Sequence, residues 1–296
     1  MNQRYKRIVW LLLVLSQTGC SPWWANHSPD HRRARPGLQA VQSFAVIYRH
    51  VSPDELAPFE MIILEPEHFR RDEIQNLRQQ GKIIFGYVNV GEIEEYRAFA
   101  DRVPDRWKLA DNQHWPGHTF VHPKWKGWRK LLQTHVLNPM QEKGFDGFFL
   151  DSVDIAAPWR FPETRKDMIR LIRWIRKQYP EKMLILNNGL FLAEALIEDI
   201  HGLLIEELFF TVDSAGRYDV RPMKQRLMLL KDILRAKTRW DLPVFLVDYC
   251  PEPPPQVCRD IKRMSGLLGL PHFVTDYHLT RLYPELNAVP VNMQMQ

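Results

Sequence analysis

Eight short apolar runs recur along the chain, and most stop on a polar or acidic residue. They cover residues 44–48, 61–64, 83–88, 148–150, 183–186, 203–205, 244–247 and 273–275. From the second onward the residues that close them are Glu65, Asn89, Asp151, Asn187 with Asn188, Glu206, Asp248 with Tyr249, and Asp276 with Tyr277. Stretches of helical spacing lie between, at 67–80, 125–143, 163–179, 190–200, 219–240 and 255–268. Unbroken apolar strands alternating with helices indicate a parallel sheet covered on both faces, and eight repeats indicate a closed (β/α)8 TIM barrel. A doubly wound open sheet would carry a glycine-rich phosphate turn after its first strand; Tyr48-Arg49-His50-Val51-Ser52-Pro53 has no glycine at all.

The alternation runs without a linker-like break, so a single barrel domain is expected over 43–285. Residues 1–20 read differently. Arg4, Lys6 and Arg7 precede the apolar stretch 8–15 and then Ser16-Gln17-Thr18-Gly19-Cys20. That is the order of a secretory signal, with an apolar core too short to span a bilayer. Thr-Gly-Cys resembles a bacterial lipobox, which makes Cys20 the expected site of lipidation, with Gln17 departing from the usual aliphatic residue. Residues 21–42 are expected to form a tether and 286–296 a tail. The expected location is the periplasm or the outer membrane, held by the lipid anchor.

In a barrel, the carboxyl ends of the strands line one mouth, so the acids that close the runs converge. Asp151 and Glu206 are the leading pair, because two carboxylates facing one another supply what glycosidic cleavage requires. A separation of about 5 Å would imply retention of anomeric configuration, and about 6.5–9.5 Å inversion. Strand alternation should send Glu206 into the mouth and Glu207 away from it. Asp154 suits either a site acid or a helix cap. Glu92 suits either a substrate contact or an acid in a first helical turn, with Arg97 placed to grip a carboxylate through its fork.

Asn187 and Asn188 offer amides to sugar hydroxyls, or simply make a turn with Gly189. Tyr48, Tyr87, Tyr249 and Tyr277 near strand ends, with Trp115 and Trp159 on loops, suit stacking on sugar rings. The expected substrate contacts are Tyr48, Tyr87, Asn89, Glu92 and Asp154, together with Asn187, Asn188, Asp248, Tyr249 and Asp276. His114, His118 and His122 recur every fourth residue, but Pro116 and Gly117 break the helix that would align them, so no metal is expected. No strand ends in lysine, which disfavours Schiff-base chemistry, and no cofactor is expected. Cys250 and Cys258 bracket a proline-rich loop and are either disulfide-bonded or two free thiols. A net charge of +5 is modest, and no nucleic-acid partner is inferred from it.

Taken in order, GKIIFGYVNVGEIEEYR, GFDGFFLDSVD, NNG, IEELF, VFLVDYC and HFVTDYHL resemble glycoside hydrolase family 114, the endo-α-1,4-polygalactosaminidase-like barrels. The resemblance runs from Phe44 to Leu279. It implies cleavage of α-1,4-linked galactosamine polymers of microbial exopolysaccharide and biofilm matrices, with Asp151 and Glu206 as the catalytic residues. The second strand departs from the pattern, carrying Glu60 and Glu65 where relatives often have Asp. A lipoprotein of the same barrel that binds carbohydrate without turnover is the alternative expectation.

Overall fold

The structure is a computed structural model, and it describes residues 37–287 apart from Ser214 and Glu252. The expected signal sequence, Cys20 and most of the tether and tail lie outside the described residues. Eight parallel strands form one sheet: β1 Phe44–Ile47, β2 Met61–Leu64, β3 Ile83–Asn89, β4 Gly147–Asp151, β5 Met183–Asn187, β6 Gly202–Glu206, β7 Val244–Tyr249 and β8 His272–Thr275. Each pairs with the next in chain order. The last strand lies beside the first, and Tyr48 N–H donates to the Leu279 carbonyl at 2.9 Å across the closure. The (β/α)8 barrel expected from the sequence is the fold observed.

The strands are largely apolar up to the residues that close them because both of their faces are covered. In helix Arg165–Gln178 the buried residues are Met168, Leu171, Ile172 and Ile175, a stripe of helical period against the sheet with arginines and lysines outside. Packing reaches past the expected limits of the barrel. Leu38 and Val41 are buried on one side. On the other, Asn287 bonds both the N–H (3.0 Å) and the carbonyl (2.7 Å) of Val274 in β8, much as a neighbouring strand would.

Four helices differ from expectation, the one expected at 190–200 ending at Leu196. The long one expected at 219–240 begins at Met223, since Tyr218–Val220 pairs instead with Phe210–Val212 in a hairpin and Pro222 starts the helix. The segment expected at 67–80 splits into a short turn at Pro66–His68 and a helix at Arg71–Gln79. The one expected at 125–143 widens into a π turn at Gln133–Leu137, next to Pro139, which has no N–H to continue the α ladder. A small antiparallel sheet of Glu92–Glu94, Lys108–Asp111 and His118–Val121 fills the excursion between β3 and β4, so Glu92 starts a strand rather than a helix.

Candidate active site

The strand ends enclose a cavity of about 560 Å³ at the carboxyl face. Asp151 closes β4, Asn187 closes β5 and Glu206 closes β6, three strands adjacent in the sheet. The residue after each of them, Ser152, Asn188 and Glu207, has a left-handed backbone with φ between 50° and 59°. Non-glycine residues adopt that conformation at a cost of about 1–2 kcal/mol each, so the repeated turn is held by its surroundings. Gly91 is one such support: a Cβ there would sit 2.1 Å from the Ser152 carbonyl oxygen. Only glycine lets the end of β3 close over the Asp151 turn.

The Asn187 side-chain nitrogen donates to Asp151 Oδ1 at 2.8 Å and to Glu206 Oε1 at 3.1 Å. Tyr87 Oη donates to Asp151 Oδ2 at 3.0 Å. Asn188 Nδ2 donates to Glu206 Oε2 at 3.2 Å, while its Oδ1 accepts the Glu206 N–H at 3.0 Å. The Tyr249 hydroxyl also bonds Glu206. Burial, and then the charge of Asp151, push the Glu206 carboxyl up to about 8. Burial raises Asp151 as well, but its bonds from Asn187, the Ser152 backbone and Tyr87 oppose the rise. Burial and the neighbouring charge thus favour a proton on Glu206, while three hydrogen bonds work for the charged form of Asp151.

Around this pair the sequence-derived contacts divide. Tyr48, Tyr87, Asn89, Glu92, Asp154, Asn187, Asn188 and Tyr249 all line the cavity. Asp154 is raised to about 6 by burial, with Arg160 (3.6 Å) opposing the shift and Asp151 adding to it. Glu92 accepts from Asn112 Nδ2 at 3.0 Å and meets His118 Nδ1 at 3.1 Å. Burial works against the proton on His118, but its bond to Glu92 and the charge of Glu94 outweigh that and raise it. The Asn187 and Asn188 amides are spent largely on the carboxylates, so they orient the acids at least as much as they meet sugar.

Two expected contacts are misplaced. Asp248 is fully buried: its Oδ1 accepts the N–H groups of Phe209 (2.8 Å) and Phe210 (2.9 Å), and its Oδ2 lies 3.1 Å from His272 Nε2. It faces the barrel wall because the backbone donors of the loop after β6 claim it. Asp276 turns back onto its own loop, accepting from the N–H groups of Thr280 and Arg281, both at 2.7 Å. Burial works against its charge, yet these bonds keep its carboxyl below the usual range.

The alternation argument also fails at Glu207. Its left-handed backbone puts it on the cavity wall beside Glu206, tied to Val212 N–H (3.0 Å) and Arg221 (3.4 Å). Arg97 grips carboxylates, but they are the protein's own: Glu65 at 2.9 Å, Glu67 at 2.9 Å and Glu94 at 3.1 Å.

Beyond the expected set, the lining includes Glu65, Glu67, Asn112, His114, His118, Arg160 and Glu207. Of these Glu65 had a signal, as the acid that closes the second apolar run; Asn112 and His118 arrive on the small sheet, which has no comparable apolar run. Trp115 and Tyr277 stack over one side with ring centroids 4.9 Å apart and planes at 16°. The three histidines do not converge, since His122 accepts from Lys124 N–H away from the cavity. Among the described residues no group of three metal-binding side chains is assembled. Cys250 and Cys258 are joined in a disulfide, with Cα atoms 6.6 Å apart.

A (β/α)8 barrel with two carboxylates at the carboxyl ends of β4 and β6, bridged by one amide, has the build of a glycoside hydrolase. The chain belongs to glycoside hydrolase family 114, whose model matches residues 25–289. Its fold is similar to the glycoside hydrolase domain of PelA from Pseudomonas aeruginosa, with a TM-score of 0.74 and 25% identity over 82% of this chain and 97% of that one. Aspergillus fumigatus Ega3, solved in complex with galactosamine, matches in fold with a TM-score of 0.66 at 16% identity, over 86% of this chain and 97% of that one. An uncharacterized protein of Methanocaldococcus jannaschii is 30% identical over 203 residues, 61% of this chain and 56% of its own length. The chain spans about half the length of the curated relatives it matches.

Proposed function

We propose that this protein is a retaining glycoside hydrolase that cleaves an amino-sugar polysaccharide, with Asp151 as nucleophile and Glu206 as acid and base. The observation that carries the reading is the single Asn187 nitrogen bonded to both carboxylates. Bonds of 2.8 and 3.1 Å to one atom hold the two accepting oxygens within about 6 Å, nearer the retaining spacing of about 5–5.5 Å than the inverting range of about 6.5–9.5 Å.

In the first step the Asp151 carboxylate attacks the anomeric carbon while Glu206 gives its proton to the glycosidic oxygen. The leaving sugar departs as an alcohol, and a glycosyl ester remains on Asp151. Glu206, now ionised, takes a proton from water, whose oxygen displaces Asp151 and restores both groups.

The cavity wall supports a cationic substrate. Glu65, Glu67, Glu92, Asp154 and Glu207 surround the pair, and Arg160 is the one arginine or lysine among the lining residues. A wall of that sign favours sugars with free amines over acetylated ones. With the family resemblance, and with Ega3 solved on galactosamine, this points to an α-1,4-galactosamine polymer of an exopolysaccharide. The leader ending at Cys20 supports export and lipid anchoring of the enzyme close to such a polymer.

The test is release of reducing ends from galactosamine and N-acetylgalactosamine polymers by the chain without residues 1–20, beside Asp151→Asn and Glu206→Gln. Each variant is expected to lose about 10²–10⁴-fold in rate while staying folded. A folded parent that releases none, or variants that cleave as the parent does, would sink the reading.

A further inference from the structure

Trp159 is 74% exposed on the loop between Asp151 and helix Arg165–Gln178. Its ring nevertheless has a fixed neighbour, the Phe191 ring, 6.2 Å away at 62°. The Arg165 guanidinium lies over Phe191 at 5.5 Å and also donates to the Phe191 carbonyl. The loop after β4 and the first helical turn after β5 are thereby tied together beneath an open indole. Both partners are next to the cleft in sequence: Arg160 lines the cavity, and Asn188, three residues before Phe191, bonds Glu206.

Strand order fixes where this pair stands. In a closed ring of eight, β4 and β5 lie across the mouth from β8 and β1. Tyr277 follows β8 and carries the stacked Trp115. The strands that carry the two aromatic groups thus stand on opposite sides of the mouth.

We propose that Trp159, backed by Phe191, is a distal stacking site for a sugar ring of the polymeric substrate, beyond the cavity and across the cleft from Trp115 and Tyr277. The inference rests on the hydrolase reading above and adds a binding position to it. A pyranose has an apolar C–H face and hydroxyls on its rim, so it covers an indole without losing its hydration. An amino sugar also brings a cation to the indole face. A free indole on the rim gains by being covered, and a chain long enough to cross the mouth is what can cover it.

The experiment compares the parent with Trp159→Ala and Trp159→Tyr on a long galactosamine polymer and on its trisaccharide. For Trp159→Ala the ratio of KM on polymer to KM on trisaccharide is expected to rise about five- to tenfold, with kcat on polymer changed less than about twofold. Trp159→Tyr is expected to recover most of the loss. An unchanged ratio in Trp159→Ala overturns the site while leaving the hydrolase reading in place. If the parent cleaves neither substrate, migration through a gel containing the polymer decides the question. Retardation of the parent that weakens in Trp159→Ala supports the site although hydrolysis fails; equal retardation, or none in the parent, overturns it.

Discussion

The Tyr87 hydroxyl donates to Asp151 Oδ2 at 3.0 Å, from one strand to the next. It supports the charged form of a carboxylate that burial pushes the other way. Tyr87→Phe removes the donor and little else, so the Asp151 pKa is expected to rise. The acid limb of the pH–rate profile should move to higher pH, with kcat falling about tenfold at neutral pH. A limb that stays in place would detach Tyr87 from the protonation of Asp151.

Glu206 sets the other limb. As the acid it must hold its proton, so activity is expected to fall as pH rises through about 8. The same shift bears on stability. A carboxyl raised in the folded state binds its proton more tightly there than in the unfolded chain. The stability it contributes is full below the unfolded value near 4.5 and is lost as pH climbs toward 8. Glu206→Gln should remove that loss. Its Tm is expected to exceed the parent's by a margin that widens between pH 5 and pH 8.5, which thermal denaturation across pH can check.

Arg97 is 6% exposed and answers Glu65 and Glu94, which are as deeply buried. Removing it strands their charges. Arg97→Met is expected to cost about 3–5 kcal/mol in urea unfolding. Arg97→Lys should recover only part, since one ammonium cannot replace a fork that takes both oxygens of Glu65.

Asp248→Ala leaves the Phe209 and Phe210 N–H groups without their acceptor and His272 without its charged neighbour. The expected loss is about 2–4 kcal/mol of stability. Asp154→Asn, in the cavity wall, should leave Tm nearly unchanged and act on turnover instead. The two variants side by side separate a carboxylate that builds the loop from one that faces substrate.

The strands were legible because each is an apolar run buried on both faces, and Asp151 and Glu206 were legible because they end two of them. What escaped has definite causes. In Lys108–Asp111 every residue but Leu109 is exposed, so the strand has no apolar run to betray it, and the small sheet that brings Asn112 and His118 to the cavity went unread. Asp248 ends an apolar run just as Asp151 does. Whether such an acid meets solvent or backbone N–H groups is settled by a loop about forty residues earlier, Phe209 and Phe210. Alternation assigned Glu207 to the wrong side because the rule holds only while the backbone stays extended, and at Glu207 it turns left-handed.

The tie from Asn187 to its two neighbours also bears on how this chemistry could be moved. Asp151, Asn187 and Glu206 end three consecutive strands, and each strand turns out of the barrel through a left-handed residue. Grafting two acids onto a foreign barrel would carry over neither the amide that spaces them nor the turns that aim them. The smallest portable piece is the ribbon β4–β5–β6 with its three exits, flanked by the end of β3 that brings Tyr87 and Gly91 to Asp151 and the end of β7 that brings Tyr249 to Glu206.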